Sequence, residues 1–313
     1  MEPHELWNLT GKNYDVAQER YSEERYPQNV YRMKRVYEML DAAHKQIQSK
    51  GTVSFLDIGC GYGETLVYAK QKGMKATGID YSPNMVNLAK KRLNKDFADI
   101  EIYVADATDI KQFKNDSFDI ISANQVFGYI PRSQESRYLS ECNRLLRPGG
   151  CLITAEINGI FDIATFNKFT IQFFKDNLLP LSFKQNEVNS IADEISKLLT
   201  NPEKPLAPPS PTETQSVADA MLDNKETRFS SHRDQTFTKS ENPMEYGDLM
   251  KKYGFALDDI MFYHFHTVPP LLFNINPKWE KKAIDLEDKY THSWQGYFMA
   301  SSFVAKSTKC NSL

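Results

Sequence analysis

The stretch FLDIGCGYGE, residues 55–64, decides the fold. An apolar run that carries one acidic residue leads into three glycines, at positions 59, 61 and 63. Glycine adopts the backbone angles of a sharp turn and lets a ligand approach the main chain closely. The helix after such a turn presents unpaired N–H groups to that ligand. The stretch therefore predicts a buried strand, a ligand-binding turn and a helix, with a dinucleotide, a phosphate group or another nucleoside as the ligand.

The spacing of the glycines narrows the choice of ligand. Dinucleotide-binding folds use G-x-G-x-x-G, followed about twenty residues later by an acidic residue that binds the ribose. Gly63 comes one residue early for that pattern, whereas Asp80 lies where the ribose-binding carboxylate is expected. The two residues indicate a nucleoside ligand and leave NAD and other cofactors open.

Short apolar runs alternate with helical patterns through the first half of the chain. The runs are VSFLDIG (53–59), KATGID (75–80), EIYVADA (101–107), FDIISANQ (118–125) and CLITAEI (151–157). Strands that alternate with helices form a parallel sheet covered by helices on both faces. Further strands are predicted at 256–266 and 296–306. We therefore expect an α/β fold with a Rossmann-like, mostly parallel seven-stranded sheet and a helical insertion after strand 5.

The predicted domain map divides the chain into a lead-in, a core and an insertion. The insertion contains five prolines from Pro202 to Pro211, a composition typical of an extended linker or an exposed loop. The parts are residues 1–50 (helical lead-in, with an amphipathic helix at 28–49), 51–158 with 241–313 (core) and 159–240 (helical and Pro-rich insertion).

The bulk composition argues against several classes of protein. The formal net charge of −3 disfavours a protein built mainly to bind nucleic acid, and no run reaches the roughly 20 apolar residues of a membrane span. The four cysteines lack CxxC spacing, so neither a disulfide framework nor a zinc site is predicted. The terminal CNSL matches a prenylation signal only in outline. We expect a cytoplasmic protein without nucleic-acid or membrane partners.

Five motifs follow one another in the order and spacing of one known family. They are DIGCGYG, GIDYSP, ADA (105–107), ANQVFGYI and LLRPGG, the last interpreted as a sharp stop before the fifth strand. Together they resemble the motif set of class I S-adenosylmethionine-dependent methyltransferases. The resemblance runs from Phe55 to Ile157 and resumes with the closing hairpin. It implies S-adenosylmethionine as the cofactor.

The resemblance also implies a role for the residues that follow each strand, since ligands bind outside the carboxyl ends of such strands. The implied cofactor-binding residues are Gly59, Gly61 and Gly63 beneath the methionine part, Asp80 at both ribose hydroxyls, Tyr81 beside the adenine, Asp106 and Ala107 at the adenine edge, and Asn124 with Gln125 near the sulfonium.

The N-terminal segment NYDVAQERYSEERYP resembles the lead-in that folds over the cofactor in this family. A positive or hydrogen-bonding group is required for the methionine carboxylate. We assign Tyr21 to the cofactor site, and the neighbouring candidates are Tyr14, Arg20, Arg25 and Tyr26.

Methyl transfer to a hydroxyl needs a group that removes a proton. His264 and His266 alternate on a predicted strand and are therefore expected to share one face. They are our candidates for this role, while Tyr129 is expected to form a wall of the acceptor pocket. His232 and Glu156 are weaker candidates. No acidic cluster has the spacing of metal ligands, so no metal is expected.

The sequence thus predicts transfer of a methyl group to a small-molecule acceptor, at oxygen, on a sugar or a secondary metabolite. The insertion at 159–240 is expected to form a lid over that acceptor. The alternatives are N- or C-methylation of a metabolite, an RNA or protein methyltransferase, and a non-catalytic S-adenosylmethionine-binding protein. The NQVF sequence after the fourth strand lacks the [DN]PP[YFW] motif of amide and nucleobase methyltransferases. This absence disfavours methylation of a nucleobase or a glutamine amide.

Overall fold

The computed structural model describes residues 27–47, 51–166, 168–200, 238–268 and 282–310. The strands in these ranges are β1 (Ser54–Ile58), β2 (Lys75–Asp80), β3 (Glu101–Val104), β4 (Phe118–Asn124), β5 (Leu146–Ile157), β6 (Phe255–Phe265) and β7 (Ala300–Lys309). They form one sheet in the order β3-β2-β1-β4-β5-β7-β6. β7 is antiparallel to both of its neighbours, and the other pairs are parallel. The predicted seven-stranded, mostly parallel sheet is confirmed.

Nine α-helices accompany these strands in the described residues, and the first agrees closely with the amphipathic helix predicted at 28–49. They are α1 (Pro27–Ile47), α2 (Glu64–Gln71), α3 (Pro83–Leu93), α4 (Glu135–Leu145), α5 (Lys168–Phe173), α6 (Gln185–Thr200), α7 (Tyr246–Lys252), α8 (Ile284–Glu287) and α9 (Gln295–Met299). Helix α3 shows a clear start signal, because the Ser82 hydroxyl accepts the Met85 N–H at 3.2 Å and Pro83 occupies the first turn.

The sheet is buried on both faces, as the continuous apolar strands require. Leu40 of α1, Leu66 of α2 and Val86 of α3 belong to the core on one face. Leu139 of α4 and Met250 of α7 belong to the core on the other. The two cores hold the sheet between layers of helices and fix the positions of the strand ends.

The strand order reverses between β1 and β4, which is where the site lies. The chain proceeds from β1 to β2 and β3 on one side of the sheet, and then returns to place β4 on the other side of β1. Connections leave the carboxyl ends of β1 and β4 in opposite directions. A reversal of this kind opens a crevice at that edge of the sheet.

The segment 238–241, which precedes α7, is joined to β5 and to the turn after β4 by its backbone and by a buried ion cluster. The Lys239 N–H donates to the Gly128 carbonyl at 2.8 Å, and the Glu241 N–H donates to the Ile157 carbonyl at 2.9 Å. The Lys239 ammonium lies 2.7 Å from carboxylate oxygens of both Glu135 and Glu241. All three charged side chains are buried, so this cluster fixes the end of the insertion beside the turn that follows β4.

Two predicted boundaries are wrong. The final strand begins at Ala300, because residues 295–299 form helix α9. Pairing of β7 with β5 ends at Ser302 and with β6 at Ala300, so the preceding residues have no ladder to join.

The second correction concerns LLRPGG. Helix α4 does end at Leu145, but β5 already begins at Leu146, so the PGG residues lie within the strand. The register between β4 and β5 shifts at this point. The added Cβ of an alanine at Gly150 would lie 2.8 Å from the Asp119 carbonyl oxygen, so the glycine allows the irregular strand to approach β4 closely.

Candidate active site

The turn after β1 has the conformation that its glycines suggest. Gly59, Gly61 and Gly63 have φ angles of 68°, 54° and 91°, all in the left-handed region that favours glycine. A Cβ at Gly59 would lie 2.4 Å from the Cγ2 atom of Val126. The turn after β1 and the turn after β4 are therefore packed against each other, and only glycine permits this approach.

Asp80 lies at the end of β2 and is bonded to the same turn. Its Oδ2 atom accepts the Gly61 N–H at 2.9 Å, and its Oδ1 atom accepts the Ser82 N–H at 2.8 Å. Burial raises the pKa of Asp80 to about 6, and these two N–H bonds oppose the shift. A carboxylate oxygen accepts more than one hydrogen bond, so both oxygens retain capacity for ligand hydroxyls. Tyr81, beside it, is exposed.

A cleft opens between helix α1 and the turn after β1. It is lined by Arg32, Met33, Asp57, Gly59, Cys60, Gly61, Tyr62, Glu64, Thr65 and Asn124. The lining contains three of the residues assigned from the sequence, the first two glycines and Asn124. Arg32, Asp57 and Thr65 were missed, although Asp57 had a visible signal, since it is the acidic residue inside the apolar run at 55–58.

Two acceptor atoms in this cleft are buried and unsatisfied. Among the described residues, neither Asp57 Oδ1 nor Asn124 Oδ1 has a hydrogen-bond partner. The Asn124 amide group instead donates to the hydroxyls of Thr65 at 3.3 Å and Ser122 at 3.1 Å. Burial raises the pKa of Asp57 well above its usual value, and a hydrogen bond with Ser122 opposes the shift. Unsatisfied buried acceptors are costly, so this pair fits a ligand that brings a hydrogen-bond donor or a positive charge.

Arg32 provides the opposite charge on the other wall of the cleft. Its side chain is buried, and its Nη1 atom donates to the Gln125 side-chain oxygen. Gln125 follows β4 directly with a φ of 57°, and its N–H donates to the Ala155 carbonyl at 2.9 Å. The cleft thus presents a guanidinium opposite unsatisfied carboxylate and amide oxygens, an arrangement that fits an amino acid bearing both charges.

Asp106 and Ala107 follow β3, beside Asp80. The Ala105 N–H donates to the Asp80 carbonyl at 3.0 Å and joins the two strand ends. Asp106 is exposed, and its Oδ1 atom accepts the Thr108 N–H and hydroxyl, both at 2.8 Å. These bonds stabilise the turn and fix the Asp106 carboxylate at the carboxyl end of β3.

The two histidines lie at the carboxyl end of β6. Their ring centroids are 4.4 Å apart, and the His266 ring stacks on Phe161 at 4.7 Å. The two rings lie together, as a shared face requires, although His264 departs from extended backbone with a φ of 60°. The His264 Nδ1 atom lies 2.6 Å from the Ser301 hydroxyl.

Burial determines what the histidines can do chemically. It lowers the pKa of His264 to about 4 and holds the pKa of His266 well below its usual value. Both rings are therefore neutral near pH 7. A neutral imidazole accepts a hydrogen bond, but with such a low pKa it is a weaker general base than an ordinary histidine.

The remaining candidates lie in different settings. Tyr129 ends a short 3₁₀ turn (Phe127–Tyr129) after β4, near the Val126 side chain that packs against Gly59. Glu156 is buried, and burial together with Glu241 raises its pKa well above the usual value. Tyr21, the other N-terminal candidates and His232 lie outside the described residues.

No group of three or more metal-ligating side chains was found in the described part of the chain, and no helix there is long and apolar enough to cross a membrane.

Comparisons with known proteins agree with this geometry. A family model described as a methyltransferase domain matches residues 56–154, from β1 to β5. The tRNA N(3)-methylcytidine methyltransferase Mettl2 of Drosophila melanogaster is 31% identical over 131 residues, which cover 40% of this chain and 40% of that protein. The ubiquinone biosynthesis O-methyltransferase of Coxiella burnetii is 31% identical over 143 residues, which cover 44% of this chain and 56% of that protein. The matches thus span about half or less of the length of these relatives.

One solved structure has a similar fold across nearly the whole chain. It is magnesium protoporphyrin IX methyltransferase from Synechocystis PCC 6803 with bound SAH, with a TM-score of 0.52 and 11% identity. The alignment covers 98% of this chain and 97% of that chain. At this level of identity the likeness concerns the fold alone.

Proposed function

We propose that the protein, whose residues 56–154 match a methyltransferase domain, uses S-adenosylmethionine to transfer a methyl group to an oxygen atom of a small-molecule acceptor. The observation that carries this proposal is the cleft beside the glycine turn, with its unsatisfied Asp57 and Asn124 oxygens opposite the Arg32 guanidinium. The match to an O-methyltransferase relative over 44% of this chain supports the choice of oxygen.

The residues of the cleft complement the methionine part of the cofactor. We assign Asp57 and Asn124 to the α-ammonium group, because their unsatisfied oxygens need a donor. Arg32 is assigned to the α-carboxylate, since a guanidinium forms strong charge-assisted bonds with carboxylates. The glycine turn brings backbone close to the same part of the ligand. These roles account for the ammonium and carboxylate groups of the methionine moiety.

The strand ends on the other side of β1 complement the nucleoside. Asp80 is assigned to the ribose hydroxyls, and its bonds to Gly61 and Ser82 hold the carboxylate in place. Asp106 and the Ala107 N–H are assigned to the adenine edge, with Tyr81 beside the ring. S-adenosylmethionine supplies a methyl group on a positively charged sulfur, so the chain's task is to align the acceptor and exclude water.

We assign the acceptor to the edge formed by the ends of β4 and β6. Tyr129 lies on a 3₁₀ turn after β4, His264 lies in β6 and His266 directly follows it, and Phe161 stacks on His266. A neutral His264 suits an acceptor hydroxyl, because it accepts a hydrogen bond and orients the oxygen towards the methyl group. Residues 159–240 are proposed as the lid of this pocket, with their first turn packed on His266 and their last residues bonded to the turn after β4.

The alternative is an RNA acceptor, and the similarity to the Drosophila tRNA methyltransferase over 40% of this chain favours it. One experiment separates the two. Isothermal titration calorimetry first measures binding of S-adenosylmethionine, and methyl-tritiated cofactor is then incubated with the protein and either a metabolite extract or total tRNA. Label in a low-molecular-mass product that separates from the unreacted cofactor is the expected result. Label in tRNA would replace the small-molecule proposal, and absence of cofactor binding would overturn both.

A further inference from the structure

The backbone of His264 is in a conformation that its residue type disfavours. Its φ of 60° lies in the left-handed region, which a residue with a Cβ rarely adopts. Such a conformation persists when the surrounding structure holds it, and it is common at functional sites. The question is which group holds the peptide at the end of β6 in this form.

The carboxylate of Glu287, on helix α8, is bonded directly to this peptide segment. Its Oε2 atom accepts the His264 N–H at 3.2 Å, and its Oε1 atom accepts the Phe265 N–H at 2.8 Å. Glu287 is 3% exposed. Two consecutive N–H groups on the two oxygens of one buried carboxylate define the direction of the chain at that point.

Helix α1 fixes Glu287 from the other side. The Arg35 Nη2 atom donates to the Glu287 carbonyl at 2.6 Å and to the Asp288 carboxylate at 2.7 Å. Lys34 also contacts Asp288, at 2.6 Å. Arg35 is one helical turn from Arg32, which lines the cofactor cleft. The same helix therefore contacts the cofactor side and the support of His264.

The consequence of this arrangement is the position of the His264 ring. With the peptide held, Nδ1 of the imidazole meets the Ser301 hydroxyl at 2.6 Å, and the ring lies edge-on to His266. The φ angle sets the direction of the Cα–Cβ bond relative to the preceding peptide, so the left-handed conformation helps to determine where the imidazole lies. The ring position thus depends on the bonds that Glu287 accepts.

We propose that Glu287 is a positioning residue of the acceptor edge, whose carboxylate holds the left-handed His264 peptide and thereby places the imidazole against Ser301. This inference rests on the proposed function, which assigns the acceptor to this edge. Glu287 acts through His264 and has no assigned contact with the cofactor or the acceptor.

The test compares Glu287→Gln with Asp285→Asn. A glutamine retains one acceptor oxygen, but its NH₂ group cannot accept the second N–H. Asp285 is the matched control, since it lies on the same helix and is exposed. Amide hydrogen exchange of His264 and Phe265, and the imidazole ¹⁵N signals of His264, are measured by NMR. We expect Glu287→Gln to accelerate exchange of these amides at least about tenfold and to shift the ring signals, whereas Asp285→Asn leaves both nearly unchanged.

Unchanged exchange and ring signals in a folded Glu287→Gln protein would overturn the proposal. A double-mutant cycle keeps it testable if that variant is poorly folded. Glycine adopts a φ of 60° without strain, so Glu287→Gln should lower the melting temperature less in a His264→Gly background than in the wild type. Equal losses in the two backgrounds would count against the proposal. Cofactor affinity, measured by calorimetry on the same proteins, tests the proposed function separately from the role of Glu287.

Discussion

The carboxylate of Asp80, at the end of β2, accepts the peptide N–H of Gly61 at 2.9 Å, in the middle of the turn that follows β1. One side chain therefore joins two adjacent strand ends and belongs to the surface that a nucleoside would contact. The same carboxylate accepts the Ser82 N–H at 2.8 Å, next to the start of α3. Two backbone hydrogen bonds therefore fix the position of this carboxylate at the carboxyl edge of the sheet.

We predict that Asp80→Ala weakens binding of S-adenosylmethionine about 10- to 100-fold, because the bound ribose would lose its hydrogen-bond acceptor. Calorimetry measures this directly. Asp99→Ala serves as a control, since Asp99 forms only an exposed ion pair with Lys70 at the surface. Equal affinities of the Asp80→Ala and wild-type proteins would refute the ribose assignment.

Cofactor affinity should also depend on pH through the same carboxylate. Its pKa is raised to about 6 by burial, so it is ionised and a strong acceptor above that pH and protonated below it. We expect the affinity to rise as the pH increases from 5 to 7 and to level off above about pH 7. Titrations at several pH values check this. Asp80→Asn, which cannot ionise, should show a flat profile over this range, and a similar slope in both proteins would show that another group is responsible.

The glycine turn offers a comparison between close packing and backbone strain alone. Gly59 and Gly73 both have positive φ, but an added Cβ meets Val126 at 2.4 Å in the first case and nothing within 4 Å in the second. We predict that Gly59→Ala costs on the order of 3 kcal/mol and abolishes cofactor binding, whereas Gly73→Ala costs about 1 kcal/mol and preserves it. Chemical denaturation and calorimetry provide the two measurements. A Gly59→Ala protein that binds the cofactor normally would contradict the packing argument.

The buried cluster at the end of the insertion should contribute strongly to stability. Lys239→Met leaves the carboxylates of Glu135 and Glu241 with only the largely exposed Arg132 as a shared cation, and we expect a loss of about 2 kcal/mol in the free energy of unfolding. Lys197→Met is the matched control, because its pair with Glu194 is largely exposed, and should change stability by less than about 1 kcal/mol. Urea denaturation distinguishes the two. Similar effects of both substitutions would mean that the cluster is not a significant anchor.

Glu287 should make stability fall as the pH rises. Burial raises its pKa to about 7, while its bonds to the Phe265 and His264 N–H groups and the Arg35 charge oppose the shift. The folded state holds this proton more tightly than the unfolded state does. The stabilisation that results is therefore fully present below about pH 4.5 and is lost as the pH passes 7. We expect the unfolding free energies of the wild type and Glu287→Gln to diverge across this interval. Parallel pH profiles of the two proteins would show that Glu287 titrates normally.

Short contiguous patterns predicted the parts of the site that are built locally. The glycines at 59, 61 and 63 and Asp80 lie where strands end and turns begin, and residue type alone constrains the backbone there. The alternation of apolar runs predicted the sheet and its carboxyl edge for the same reason. The position of Asp57 inside its apolar run was visible, although its unsatisfied oxygen was not.

The amino-acid sequence by itself determined the α/β sheet, the glycine turn after β1 and the place of the Asp80 carboxylate at the end of β2, because these depend on local backbone preferences and on periodic burial. Only the tertiary structure decided which distant groups meet. Arg32 reaches Gln125 across 93 positions, Lys239 reaches Glu135 across 104, and Glu287 holds the peptide of His264. The low pKa of His264 is likewise a product of burial. Such contacts depend on how helices and strands pack, and no local pattern specifies a partner so far along the chain.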